Sequence, residues 1–153
     1  MVMEINGLQG AKEAPDITAI ILTYNEVIHI ERCIRSAQPI ARNIFVVDSF
    51  STDRTVEIAR SLGAEVAQRS WKNHADQFQW AIEHCQRATP WLMRLDADEY
   101  LEPDLQQEIP ALLGSLSDDI DGIYLKRKVF FLRQVDSPRW FLSSDSFTYL
   151  ACR

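Results

Sequence analysis

The sequence predicts an α/β fold, a mainly parallel sheet with helices packed against it. Three observations carry that expectation. ITAIIL (17–22) and IFVVD (44–48) are continuously apolar and rich in β-branched residues, as strands covered on both faces are. Segments with apolar residues at helical spacing separate the strands, and this alternation builds right-handed crossovers between parallel neighbours. Polar clusters follow the strands at Thr23–Glu26, Asp48–Asp53 and Asp96–Glu99. In open α/β sheets, ligands bind beyond the carboxyl ends of the strands.

The elements follow in order. Residues 1–15 are polar and aperiodic and read as a loose leader. After the strand 17–22, Asn25 is placed as the cap of a helix whose apolar positions are Val27, Ile30, Ile34 and Ala37, with Pro39 just past its end. The second strand, 44–48, leads into a helix capped by Ser51 or Thr52. Its inner stripe is Val56, Ala59 and Leu62, and Gly63 is its stop. EVAQRS (65–70) is a third strand, and 75–88 is a helix burying Phe78, Ala81, Ile82 and Cys85. WLMRLD (91–96) is the fourth strand. Pro103 starts a helix through Leu105, Ile109 and Leu112, which Pro110 should break or kink. SDDIDG is a loop, GIYLKRKVFF (122–131) a fifth strand, and 132–153 a tail of undetermined structure.

Composition narrows the function. The chain has 153 residues, 46% apolar and 25% charged, enough for one modest domain with a real core. A net charge of −6 opposes a broad electrostatic grip on nucleic acid. No apolar run is long enough to span a bilayer, and the start lacks the regions of a signal peptide. Cys33, Cys85 and Cys152 are odd in number and widely spaced, which fits neither a disulfide framework nor a zinc site but suits a reducing cytoplasm.

The clusters carry the chemistry. If 91–98 is extended, Asp96 and Asp98 share a strand face with Arg94 behind them. Two like charges there call for a positive partner, and magnesium is commonly held by about one or two carboxylates together with substrate phosphates. Asp48 ends a strand and precedes the donor-rich SFSTD, so its carboxylate could accept from a nucleobase N–H, or simply organise a capped turn. Glu99 fits a solvated loop. His29 and Cys33 share a helix face but make no zinc site, and the four tryptophans suit core or sheet cover.

ILTYNE (21–26), VVDSFSTDRT (46–55), NHADQFQWAIEH (73–84) and RLDADEYL (94–101) occur in the order and spacing of the family 2 glycosyltransferases, which the sequence resembles over residues 17–131. The wording, with QFQWA before RLDADE, looks most like bacterial enzymes of surface-polysaccharide or lipopolysaccharide-core synthesis. The resemblance implies a Rossmann-like GT-A domain over 16–131: a three-layer sandwich around a mainly parallel sheet, with the acceptor half largely missing and the chain apparently truncated. It also implies an inverting, metal-dependent transfer of sugar from a nucleotide-sugar, commonly a uridine-diphosphate sugar, to a saccharide or lipid-linked acceptor. Thr23, Asn25 and Glu26 would border the nucleotide, Asp48 would bind the base, and Gln77 would contact the donor. Asp96 would reach the ribose, and Asp96 with Asp98 would hold manganese or magnesium. The expected location is cytoplasmic or peripheral to the inner face of the membrane.

Two positions depart from the family pattern. Many members carry Gly where this chain has Phe50, and a positive φ there would strain it. After Phe131 the only carboxylates are Asp136 and Asp145, which match no family motif, so the catalytic base stays unassigned. Two other classes compete. A nucleotide-sugar-binding module without transfer is consistent with a missing acceptor half. A phosphatase of the haloacid-dehalogenase type, with Asp96 as nucleophile and Asp98 as acid, would carry that pair after its first strand, not its fourth. A dehydrogenase lacks support because no G-x-G-x-x-G follows the first strand.

Overall fold

A computed structural model describes residues 16–86, 89–117, 119–126 and 147–152. Strands β1 (Ile17–Thr23), β2 (Asn43–Asp48), β3 (Glu65–Gln68), β4 (Trp91–Asp96), β5 (Gly122–Lys126) and β6 (Phe147–Cys152) form one sheet in the order β3-β2-β1-β4-β6-β5. The first four are mutually parallel. β6 runs antiparallel to β4 and to β5, and so lies inside the sheet between them. The predicted leader 1–15, the last residues of the predicted fifth strand, and Asp136 and Asp145 lie outside the described residues.

The core explains the layering. Every residue of β1 is buried, as its unbroken apolar run requires of a central strand covered on both faces. One face packs Ile17, Ala19, Ile21, Val46, Met93 and Leu95 against helices α1 (Ile30–Ala37), α2 (Thr55–Ser61) and α4 (Pro103–Leu113). The other packs Ile20, Leu22, Phe45, Val47 and Leu92 against α3 (His74–His84). The result is the expected three-layer α/β sandwich. Each strand alternates between these faces, so the register aligns Thr23 with Asp48 on the α1–α2 side, and Leu22 with Asp96.

Several element starts differ from the sequence reading. Asn25 does not cap α1: it adopts φ 53°, and its side-chain oxygen accepts from the Thr52 N–H. The helix begins at Ile30, with His29 at the cap position and no side-chain cap bond, and Val27 is exposed. Neither Ser51 nor Thr52 caps α2, because both are committed to the neighbouring loop. The Asp53 carboxylate takes the Thr55 N–H at 2.9 Å instead. The α2 stripe keeps Ala59 and Leu62 as read, but Thr55 and Ile58 face the core, and Val56 is only partly buried. Gly63 does end α2, at φ +83°. Asn73 caps α3 by accepting from the Asp76 N–H at 2.8 Å, and the helix stops at His84. Pro110 lies inside α4 without ending it. The proline removes only its own N–H bond, and three residues remain before the helix ends at Leu113.

Candidate functional site

Four parallel strands end side by side at Thr23, Asp48, Gln68 and Asp96. The loops after β1 and β2 are laced together above that edge. The Ser49 N–H donates to the Thr23 carbonyl at 2.9 Å, and the Asn25 N–H donates to Ser51 Oγ at 2.8 Å. The Thr52 N–H returns to Asn25 Oδ1 at 2.8 Å, and the Glu26 N–H meets Thr55 Oγ1 at 2.9 Å. The Val27 N–H reaches Asp53 Oδ2 at 3.3 Å. The two loop apices, Asn25 (φ 53°) and Phe50 (φ 60°), both occupy the left-handed region. Asparagine tolerates it; phenylalanine does so under strain, as the sequence anticipated. Tyr24 and Phe50 are left 57% and 52% exposed beside the interlocked backbones.

Asp48 anchors this arrangement from below. It is fully buried, and its carboxylate accepts from the Ser51 N–H at 2.9 Å, from the Ser51 hydroxyl, and from Gln68 Nε2 at 2.9 Å. Both oxygens are therefore engaged within the protein, and the residue shapes the loop that precedes α2. The Asp53 carboxyl is held below its ordinary range, first by the Thr55 hydroxyl and then by backbone N–H groups of Thr55 and Val27. Glu26 Oε2 pairs with His29 Nδ1 at 2.7 Å. The Thr23 hydroxyl is buried and unpartnered at the mouth of the edge, an orphaned group of the kind a ligand hydroxyl or water satisfies.

Gln77, read in the sequence as a donor contact, is engaged within the protein. It is fully buried, donates to Ser49 Oγ at 3.2 Å and to the Arg69 carbonyl at 3.3 Å, and accepts from Arg69 Nη1 at 3.2 Å. These bonds tie α3 to the Ser49 loop and to the end of β3. Arg69 also pairs with Asp76 at 2.6 Å.

Asp96 and Asp98 do not share a strand face. β4 ends at Asp96, and a turn closes through the Glu99 N–H on the Asp96 carbonyl and the Asp96 N–H on Glu99 Oε2, each at 2.9 Å. Asp98 lies in that turn, exposed. The turn is tied to α1 by the Leu101 N–H on Ser36 Oγ, by Arg32 on the Asp98 carbonyl, and by Cys33 Sγ on the Asp96 carbonyl at 3.7 Å. Burial pushes the Cys33 thiol far up, with Glu99, Asp98 and Asp96 adding to the effect. Arg94 does stand behind the pair, at 3.2 Å from Asp96 Oδ1.

Among the described residues, no three His, Cys, Asp or Glu side chains converge as a metal-ligand set. The donors present, Asp96 and the exposed Asp98, fit a hard divalent cation shared with phosphate oxygens, not an all-protein cage.

The sequence reading missed Gln68 and Arg69, and it weighed His74 only as a metal ligand, setting it aside for want of partners at ligand spacing. The signal existed: QRS ends the third strand at the same sheet edge as the three clusters, and Asn73 precedes Asp76 at capping distance.

Comparison with known proteins converges on one group. The sequence profile of the family described as "Glycosyl transferase family 2" matches residues 18–145. An "Uncharacterized glycosyltransferase" of Rickettsia bellii (strain RML369-C) is 39% identical over 134 residues, covering 88% of this chain and 45% of the relative. The "Lipopolysaccharide core biosynthesis glycosyltransferase LpsC" of Rhizobium meliloti (strain 1021) is 33% identical over 121 residues, covering 76% of this chain and 43% of the relative. The chain thus spans about half the length of the curated relatives it matches. Among solved structures, the mannosyltransferase PcManGT from Pyrobaculum calidifontis, in complex with GDP-Man and Mn2+, superposes with a TM-score of 0.58 at 22% identity. That match covers 73% of this chain and 36% of the other, and the two share a fold.

Proposed function

The chain belongs to glycosyl transferase family 2, and from that membership we propose that it carries the donor-binding half of an inverting, metal-dependent glycosyltransferase. The donor is a nucleoside-diphosphate sugar. The acceptor is a saccharide or lipid-linked saccharide of the cell surface, with lipopolysaccharide core as the closest class on the likeness to LpsC. The reaction takes place on the cytoplasmic side, with the protein free or resting on the inner face of the membrane. No helix among the described residues is long and apolar enough to cross it.

One observation carries this reading: the two interlocked loops, the Asp48 anchor and the Asp96–Glu99 turn all sit on one carboxyl edge of a parallel sheet. Thr23, Asn25 and Glu26 border the nucleotide on the first loop. Asp48 governs base choice through the Ser51 and Gln68 groups it holds, with uridine the expected base. Gln77 supports that loop from α3 through Ser49. Asp96 faces the ribose, and Asp96 and Asp98 hold a manganese or magnesium ion together with the diphosphate. When bound, the cation supplies positive charge that offsets the charge growing on the departing diphosphate, a stabilisation needed most in the transition state. The protein's own task is to hold the anomeric carbon open to the acceptor hydroxyl on the face opposite the leaving group. A carboxylate that removes the hydroxyl proton completes the site.

Competitive displacement of a fluorescent nucleotide, with manganese present, tests the reading across UDP, GDP, CDP and ADP. Binding with a uridine preference that Asp48→Asn abolishes is expected. Equal displacement by all of them would reject the role of Asp48, and no binding of any would reject the function.

A further inference from the structure

Arg94 has no part in the reading above, yet it is the positive group closest to the acidic turn. Strand alternation places it on the same face of β4 as Asp96, two residues on. Its Nη2 lies 3.2 and 3.5 Å from the two Asp96 carboxylate oxygens and 3.4 Å from His74 Nδ1. Its guanidinium carbon stands 6.0 Å from the centre of the Phe78 ring, and its Nε is buried without a hydrogen-bond partner. The paired side chains are 27% and 24% exposed, so α3 holds the guanidinium against Asp96 where solvent still reaches the pair.

A divalent cation and this guanidinium compete for the same carboxylate. Until a diphosphate arrives, Arg94 offsets one of the three carboxylate charges of the Asp96–Glu99 turn, in which Glu99 is committed to the Asp96 N–H. Among the described residues no third ligand side chain makes up the difference. A diphosphate brings negative charge and oxygen ligands of its own, and Arg94 attracts it instead of opposing it.

We infer that Arg94 makes cation capture depend on the nucleotide: it weakens the free protein's hold on the metal and strengthens the joint hold on metal and diphosphate. It is a positioning residue acting through Asp96. The inference rests on the proposed metal role of Asp96 and Asp98, and the experiment separates the two. At water-like dielectric, one unit charge acting on a dication over a few ångströms changes affinity by about tenfold, and salt screening reduces this to about three- to tenfold.

The test titrates the protein with manganese chloride, reading free Mn2+ by electron paramagnetic resonance, with and without UDP or GDP. The parent should bind Mn2+ weakly alone and more tightly with nucleotide. Arg94→Gln should bind Mn2+ alone about three- to tenfold more tightly, and the nucleotide's enhancement of Mn2+ affinity should shrink by at least that factor, with Mn2+ enhancing nucleotide affinity equally less, as linkage requires. Arg94→Lys keeps the charge and should stay near the parent. A merely structural role would move the melting temperature but not raise metal affinity. Arg94→Met, which keeps the stem over Phe78, serves if Arg94→Gln fails to fold. A parent-only measurement stands behind both: at the Mg2+ concentration that saturates the protein only when UDP is present, the 15N signals of the Arg94 guanidinium should shift with Mg2+ and UDP, and not with Mg2+ alone. Unchanged Mn2+ affinity in the folded variants, or a shift with Mg2+ alone, overturns the inference. A parent that takes up no Mn2+ even with nucleotide overturns the functional reading itself.

Discussion

Replacing Gln77 by Leu separates a brace from a ligand contact. The wild-type amide is fully buried and satisfied by three hydrogen bonds, two to Arg69 and one to Ser49. Leucine fills nearly the same volume but leaves the Arg69 carbonyl and the Ser49 hydroxyl without that partner. The Arg69 charge is not stranded, because it keeps Asp76 at 2.6 Å. At about 1 kcal/mol for each bond lost, offset in part by the added apolar burial, the cost is about 2–3 kcal/mol. For a domain of this size that lowers the melting temperature by about 4–12 °C. Thermal unfolding followed by circular dichroism measures the stability, and displacement of a fluorescent nucleotide measures the site. The brace predicts lower stability together with weaker binding, because Ser49 is released, and partial recovery of both in Gln77→Asn. A melting temperature within about 1 °C of the parent, with nucleotide affinity sharply reduced, would refute the reasoning and return Gln77 to direct contact.

Three further predictions concern the same edge. Phe50→Gly should remove the strain of φ 60°, a gain of about 1–2 kcal/mol less about 0.5–1 for chain entropy, so a small rise in unfolding free energy is expected and a fall would refute the strain. Cys33, with its thiol pushed far up by burial and three nearby carboxylates, should resist iodoacetamide at pH 8 in the native protein and react in urea; fast native labelling at that site would contradict this. The depressed Asp53 carboxyl contributes stability that is present above the unfolded carboxyl pKa and lost as the pH falls through the lower folded value. Asp53→Asn should therefore flatten the stability profile below about pH 4, and an unchanged acid limb would argue against it.

The strands and the layers were legible in the sequence because burial on both faces writes itself as an unbroken apolar run. ITAIIL, IFVVD and WLMRLD gave the positions of β1, β2 and β4 to within one residue. The loops between them were not legible in the same way. Asn25, Ser51 and Thr52 are all good helix caps by type, and local propensity assigned them to their own helices. In the fold they bond across to each other's loops, 26 or 27 residues away, and no local rule sees that pairing. Asp48 was singled out as a carboxylate ending a strand before a donor-rich loop, and Gln77 only through the family resemblance. Their burial against Ser49, Arg69 and Gln68 depends on contacts between separate strands and α3. The alternation rule carried Asp98 onto a strand that had already ended, since the Asp96–Glu99 turn closes through the Glu99 N–H on the Asp96 carbonyl and the Asp96 N–H on the Glu99 carboxylate. A strand with irregular cover was one reading of the tail, but its place inside the sheet between β4 and β5 depends on long-range pairing that no local pattern records.

The most direct test of the account is calorimetric titration of the protein with UDP and with GDP, each in manganese and in EDTA, repeated for Asp98→Asn. The account predicts saturable one-site binding in manganese, a loss of at least about tenfold in EDTA, and little response to manganese in the folded variant, because the carboxylate and the phosphates hold the cation together. Equal affinity in manganese and EDTA, or a folded Asp98→Asn that keeps the full manganese response, would contradict it.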